Sequence, residues 1–339
     1  MKSKKLLVIG NDSIHMHNFI ELVQGYFDDV LFLTSKSERR YTVETMQVDF
    51  SLRKNGLTNY FNLKKIIEKF VPTHIHIHQV NTAALLSVFT FKPYSIPIIL
   101  TAWGSDILQN PQKNIFERWK VQYILNRVSS VTADSDTVLQ QADKLVSKVL
   151  DTHNINFGIE IPNCTTQKEN IIYSNRLHKK LYNIDKIIIS FNRFVKKDPS
   201  WKLVIAGSGE ETERLKRLVE TLNLNHAVEF IGWVDSTTNC EYYCKAKIYV
   251  SIPQSDSISI SLVEAIASSC VVFVSDLPAN REVYSPEIGY IVKELEAIDF
   301  ESFEAVNAEK FQSKRERLVE NFSKEVNQQR YYNLYERYQ

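Results

Sequence analysis

The stretch Lys202-Leu203-Val204-Ile205-Ala206-Gly207-Ser208-Gly209-Glu210 decides the fold. Leu203 to Gly207 reads as a short buried strand, the two glycines as a tight turn, and Glu211 to Leu222 as an amphipathic helix. A strand that turns through glycine directly into a helix belongs to a parallel β-α-β unit. The same alternation runs outward in both directions. Lys5 to Ile9, Val30 to Thr34, His74 to His78, Ile98 to Ala102 and Ser130 to Ala133 read as strands, with helices at His17 to Tyr26, Leu63 to Phe70 and Ile115 to Asn126. In the second half, Val228 to Ile231, Ile248 to Ile252, Val271 to Ser275 and Gly289 to Val292 continue the strands, and Ser261 to Ser268 is a further helix. Two such runs predict an α/β protein of two doubly wound domains facing each other across a cleft. The expected divisions are residues 1–158, residues 159–313 and a terminal helix within residues 314–339.

A chain of 339 residues suits two cores, and 44% hydrophobic with 24% charged residues excludes disordered and fibrous classes. Runs such as Ile96 to Leu100 fall far short of the ~18 to 20 apolar residues of a membrane span. Met1 to Lys5 leads straight into a strand without a small-residue cleavage site, so no signal peptide is expected and a cytoplasmic location is. The net charge of +1 argues against a nucleic-acid partner. Up to Gly158 the chain carries 18 basic and 14 acidic residues, and the remainder carries 23 and 26. That basic first half fits an anionic membrane surface or substrate, although solvated surface charge is the reading favoured. Cys164, Cys240, Cys244 and Cys270 match no zinc spacing and read as small apolar residues in a reducing compartment.

In open parallel sheets ligands sit beyond the carboxyl ends of the strands, where strand order reverses. Gly10-Asn11-Asp12-Ser13-Ile14-His15 follows the first strand but lacks the spacing of a nicotinamide site. His74, His76 and His78 share one strand face at ~6.6 Å steps, too wide for one metal ion, and only His78 reaches the strand's end. Asp134-Ser135-Asp136 reads as a helix cap rather than a metal site. Gly207 and Gly209 let a nucleotide approach the backbone. Asp256 lies on a loop and Glu264 one turn inside the next helix, with the backbone amides of Ile258, Ser259 and Ile260 between them. Carboxylates that accept sugar hydroxyls beside amides that hold a diphosphate suit a nucleotide sugar; the alternative is a serine-rich capping loop with a solvated Asp256.

The second half resembles the retaining glycosyltransferases of family 4, which have the GT-B fold of two Rossmann-like domains. Arg176-Leu-His-Lys-Lys-Leu-Tyr182, Lys202 to Gly209, Val228-Glu-Phe-Ile-Gly232-Trp233, and the pair Asp256 and Glu264 match the family's segments in order. Gly10 to His17, Thr101-Ala-Trp-Gly104-Ser-Asp106 and Asn156-Phe-Gly158 match more loosely, and Phe322-Ser323 and Tyr335 resemble the terminal helix that crosses back onto the first domain. The resemblance implies that Glu264 binds the donor ribose, Asp256 the transferred sugar and Arg176 the diphosphate. Gly232 and Trp233 would border the base, uridine by preference. The family's partner lysine falls at Leu181, with Lys179 and Lys180 just before it; Lys180 is favoured. Aspartate replaces the usual glutamate at 256, and Trp103 replaces the histidine before Gly-Ser-Asp, leaving His15, His78 and Asp106 as acceptor-side groups beside Gly10, with a structural hydrogen bond to its own loop the equal alternative for Asp106.

The implied activity is transfer of a sugar from a nucleotide diphosphate to a hydroxyl with retention, without metal or other cofactor. The expected acceptor is a glycan, lipid-linked and at the inner face of a membrane in bacterial surface polysaccharide synthesis. Two rivals remain: a sugar-nucleotide epimerase on the same fold, and a non-catalytic nucleotide-sugar-binding subunit.

Overall fold

The structure, a computed structural model, describes residues 3–256 and 258–338. The chain divides into two compact units. One takes the residues up to Gly158 together with those from Lys324 onward; the other is Ile159–Ser323.

In the first unit, β1 (Lys5–Ile9), β2 (Asp29–Thr34), β3 (Glu44–Gln47), β4 (His74–His78), β5 (Ile98–Thr101), β6 (Ser130–Ala133) and β7 (Thr152–Asn154) form a parallel sheet ordered β3-β2-β1-β4-β5-β6-β7. Strand order therefore reverses between β1 and β4. Alternate residues of β1 feed two cores: Leu7 and Ile9 pack under the helices Gly56–Phe70, Thr82–Phe91 and Ile115–Leu125, while Leu6 and Val8 meet the helices Ile14–Val23 and Lys324–Glu336.

In the second unit, β8 (Glu169–Ser174), β9 (Lys202–Ala206), β10 (Val228–Gly232), β11 (Ala246–Ser251), β12 (Val271–Ser275) and β13 (Gly289–Val292) form a parallel sheet ordered β10-β9-β8-β11-β12-β13, which reverses between β8 and β11. The sequence missed β3, β7 and β8. Glu169 and Asn170 open β8 with polar residues, and β3 and β7 are short edge strands that bury little.

The expected terminal helix is two helices. Ala308–Phe322 belongs to the second unit and Lys324–Glu336 to the first, separated at Ser323, which is extended and bridges to Ile159. Phe311, Leu318, Val319 and Phe322 lie in the second unit's core, so the apolar stripe of the earlier helix is satisfied there. The cysteine reading is corrected too. The segment before β8 passes the helix Ser236–Lys245, bringing Cys164 and Cys244 to a Cα separation of 5.2 Å in a disulfide across 80 residues of sequence. Chain spacing carries no trace of that proximity, and the pairing removes the inference from cysteine usage to a reducing compartment. Cys240 and Cys270 are free.

The three histidines of β4 serve packing rather than a metal. His74 Nε2 meets the Tyr335 carbonyl at 3.0 Å, and His76 lies between the Tyr335 hydroxyl at 2.8 Å and Thr101 Oγ1 at 2.7 Å. These bonds fasten the final helix, whose Tyr331 and Tyr335 are fully buried. Burial holds all three histidines below their ordinary pKa, His78 down to about 3. The unfolded chain then binds more protons than the folded one, so stability falls as pH drops below 6.5, histidine's ordinary value, and continues to fall toward about 3 for His78. Thermal unfolding followed from neutral to acid pH should show this slope, reduced in His76→Asn; Tyr335→Phe, which leaves a buried His76 nitrogen unpaired, should cost ~1–3 kcal/mol in urea unfolding.

Candidate functional site

The loops following β8 and β11 leave the sheet on either side of the second unit's strand reversal. Arg176 comes from the first and Asp256 from the second, and they form an ion pair, Arg176 Nη2 to Asp256 Oδ2, at 2.5 Å. Arg176 Nη1 donates to Ser259 Oγ at 2.7 Å, and the guanidinium lies 4.5 Å from the centre of the Tyr182 ring. Desolvation disfavours the charged guanidinium, but the Asp256 carboxylate together with Tyr249 and Tyr182 outweighs it and raises the pKa. The helix Ile260–Ala267 begins at Ser259, whose hydroxyl makes no bond to the helix amides. The Ser259 hydroxyl therefore does not cap this helix, whose N-terminus places its positive dipole end beside Arg176.

Glu264 lies in the second turn of that helix and is half-buried. Burial pushes its carboxyl up to about 7, against a hydrogen bond from Tyr243 that favours the ionised form. Beneath it lies a polar network that sequence reasoning missed. Asn175 Nδ2 donates to Tyr243 Oη at 2.7 Å and Asn239 Oδ1 at 2.9 Å, while Tyr249 Oη donates to Asn175 Oδ1 at 2.9 Å and Tyr173 Oη to Asn239 Oδ1 at 2.7 Å. The tyrosines sit on strands and a helix where aromatic residues are ordinary core, so no local pattern marks them.

The glycine turn has a different task from the one expected. A Cβ at Gly207, which has φ +100°, would lie 2.7 Å from the Arg176 carbonyl oxygen, and one at Gly209 would lie 2.5 Å from that of His178. The space the glycines leave is filled by the arginine loop's own backbone. Glu211 N donates to the His178 carbonyl at 2.9 Å, and His178 Nδ1 meets Thr212 Oγ1 at 2.8 Å, which locks the two loops together. Gly232, by contrast, has φ +69° with nothing within 4 Å of a Cβ, and Trp233 is 76% exposed. Lys180 is exposed at the start of a 3₁₀ turn and is not joined to the Arg176–Asp256 pair; Lys179 beside it is exposed as well. Ile258 packs its side chain in the core, and Ile260 lies at its margin.

In the first unit, the ends of β1 and β4 flank the other strand reversal. A Cβ at Gly10 would collide with Met16 Cε at 2.1 Å and lie 3.2 Å from His78 Cβ, so the first turn is closed over side chains. Trp103 Nε1 donates to His78 Nδ1 at 3.3 Å, which leaves the proton on His78 Nε2, a buried atom without a partner among the described residues. His15 meets Trp103 edge-on at 5.3 Å between ring centres. Asp106 makes the structural bonds to its loop that are the alternative to an acceptor-side role. It is buried, its Oδ1 accepts from Trp103 N at 3.0 Å and its Oδ2 from Val80 N at 2.8 Å. Asp134-Ser135-Asp136 opens the helix Asp136–Leu145 with Ser135 at the cap position.

Comparisons with known proteins agree with this division. Residues 158–324 match the family model for glycosyl transferases group 1, and residues 4–135 match that for glycosyl transferase 4-like domains. Each unit thus matches a glycosyltransferase family model. An uncharacterized glycosyltransferase of Haemophilus influenzae is 31% identical over 40% of this chain and 40% of its own length. The alpha-monoglucosyldiacylglycerol synthase of Streptococcus pneumoniae is 26% identical over 31% of this chain and 24% of its own. The crystal structure of Anabaena HepE in complex with UDP and glucose covers 98% of this chain and 99% of its own, with a TM-score of 0.79 at 12% identity. The fold of this chain is GT-B.

The glycine geometry separates two kinds of position. Gly207→Ala and Gly209→Ala, which press a methyl group into the arginine loop, should each cost ~1–3 kcal/mol in urea unfolding. Gly232→Ala meets no neighbour and should cost only its left-handed backbone, ~1 kcal/mol.

Proposed function

We propose that this protein is a retaining glycosyltransferase that moves a sugar from a nucleoside diphosphate, UDP by preference, to a hydroxyl of a lipid-linked glycan. The observation that carries the reading is Arg176, held by the Ser259 hydroxyl at a helix N-terminus that this hydroxyl does not cap, where the strand order reverses. A cation and convergent amides at that place suit a diphosphate and stabilise the charge that builds as it leaves. Lys180, on the same loop, would supply a second cation when a donor is bound. Glu264 would take the ribose hydroxyls, Asp256 the hydroxyls of the transferred sugar, and Gly232 and Trp233 would border the base.

No protein nucleophile is needed if attack occurs on the face from which the diphosphate leaves. The acceptor oxygen then bonds to the anomeric carbon as the carbon–phosphate oxygen bond breaks, and a donor phosphate oxygen receives the acceptor proton. No metal enters this scheme, since Arg176 and the helix amides meet the phosphate charge. UDP in the Anabaena protein supports the choice of base, and the diacylglycerol named for the pneumococcal relative supports an acceptor on a lipid.

Thermal unfolding with UDP, GDP, CDP, ADP and NAD, each with and without EDTA, tests the donor site. A nucleotide at ~100 times its dissociation constant adds ~2.7 kcal/mol, a shift of a few degrees. One diphosphate alone should stabilise the protein, indifferent to EDTA, and Arg176→Ala and Glu264→Ala should abolish the effect. No shift with any diphosphate overturns the reading. Acceptor-independent chemistry on the donor would identify the epimerase instead.

The ionisation of Glu264 gives a second test. Ribose hydroxyls donate best to a carboxylate, so UDP affinity should rise as pH passes upward through about 7. Glu264→Gln should bind more weakly above that pH and lose the dependence. An unchanged pH profile would exclude Glu264 from the ribose contact.

A further inference from the structure

We infer that the outer face formed by the helices Gly56–Phe70, Thr82–Phe91 and Ile115–Leu125 seats on the surface of an anionic phospholipid bilayer. Thr82–Phe91 packs against both of the other helices, so the three form one layer over the first unit's sheet. That layer leaves Leu57, Phe61, Phe89, Ile115, Phe116 and Trp119 between 47% and 88% exposed. Such a concentration on one face is not expected of a surface in contact with water alone. On Ile115–Leu125 the rings of Phe116, Trp119 and Tyr123 follow one another at 5.8 and 5.2 Å, and the Arg127 guanidinium lies 3.5 Å from the Tyr123 ring centre.

The aromatic line ends at a cavity of about 490 Å³ whose lining includes Arg127, Lys92, Tyr94, Ser129 and Tyr338. Neither Arg127 nor Lys92 has a carboxylate partner among the described residues, and Arg127 Nε is buried without an acceptor. The charge of this region is strongly one-sided. Residues 53–127 contain ten Lys and Arg against three acidic residues. Of those three, Asp106 is buried, Glu68 lies 3.8 Å from Lys64, and Glu117 lies 2.6 Å from Lys120. An apolar, aromatic face edged with unpaired cations is complementary to acyl chains beneath anionic headgroups, with the Arg127–Lys92 cavity placed to take a lipid phosphate. Among the described residues no helix is long and apolar enough to cross a membrane, so the contact is with one leaflet surface.

This inference shares with the donor reading only the lipid-linked acceptor, and its test needs no nucleotide. The full chain is floated with vesicles of phosphatidylcholine alone and with about one third phosphatidylglycerol, at low and at high salt. Binding should require the anionic lipid and weaken with salt. Phe116→Ser with Trp119→Ser should reduce partitioning ~10-fold or more, and Lys92→Glu with the charge reversal Lys113→Glu, at the end of the short helix Asn110–Lys113 just before Ile115, should remove most of the salt-sensitive part. All four positions are exposed, so unfolding midpoints and the UDP shift should be unchanged, which separates failure here from failure of the donor site. Absence of binding, equal binding to both vesicles, or a dimer in sedimentation that the Phe116→Ser and Trp119→Ser pair converts to monomer would overturn the proposal, the last by assigning the face to a second copy.

Discussion

The ion pair between Arg176 and Asp256 joins the loops after two neighbouring strands, β8 and β11, where the second sheet reverses its order. Half-buried charges are costly to leave alone, so each side chain fixes the position of the other. The pair in turn depends on backbone far from it in sequence. The arginine loop can lie where it does because Gly207 and Gly209 carry no Cβ, and the serine at the start of the next helix accepts from the guanidinium instead of capping its own helix. Sheet topology, glycine placement and charge are thus one constraint.

Below that pair, Tyr173, Asn175, Asn239, Tyr243 and Tyr249 form a hydrogen-bonded floor. A satisfied buried network is rigid, and a rigid site need not reorganise when charge develops on a ligand. Glu264 stands above it with a carboxyl poised near neutrality because burial, more than any neighbour, sets its proton affinity. The first unit repeats the logic: His78 is oriented by Trp103, and Asp106 holds the turn on which Trp103 sits.

Much of this was legible from residue order. The run from Lys202 to Glu210 identifies the β-α-β unit because buried parallel strands are short and continuously apolar. The strands Val271–Ser275 and Gly289–Val292 are found for the same reason. Asp256 and Glu264 could be selected from the loop and helix that follow the strand Ala246–Ser251, whereas Arg176, which follows the missed β8, was reached only through the family resemblance. What could not be read is whatever depends on proximity between distant segments. The Cys164–Cys244 pairing, the filling of the glycine turn by Arg176 and His178, and the tyrosine network all join residues more than twenty-five positions apart. The break at Ser323 was hidden because both flanking helices are charged and continuous in pattern, and only the burial of Phe322 on one side and Tyr331 on the other separates them.

If the ion pair is the closed state of a donor site, a diphosphate must take Arg176 away from Asp256. Calorimetric titration of UDP into Asp256→Asn measures this directly, since the amide keeps the shape and removes the competing charge. Affinity should be kept or increased, by up to ~10-fold for a released partner, while Arg176→Ala binds no UDP. Loss of UDP binding in Asp256→Asn as complete as in Arg176→Ala would contradict the account, because Asp256 would then be holding the site together rather than holding the arginine in reserve.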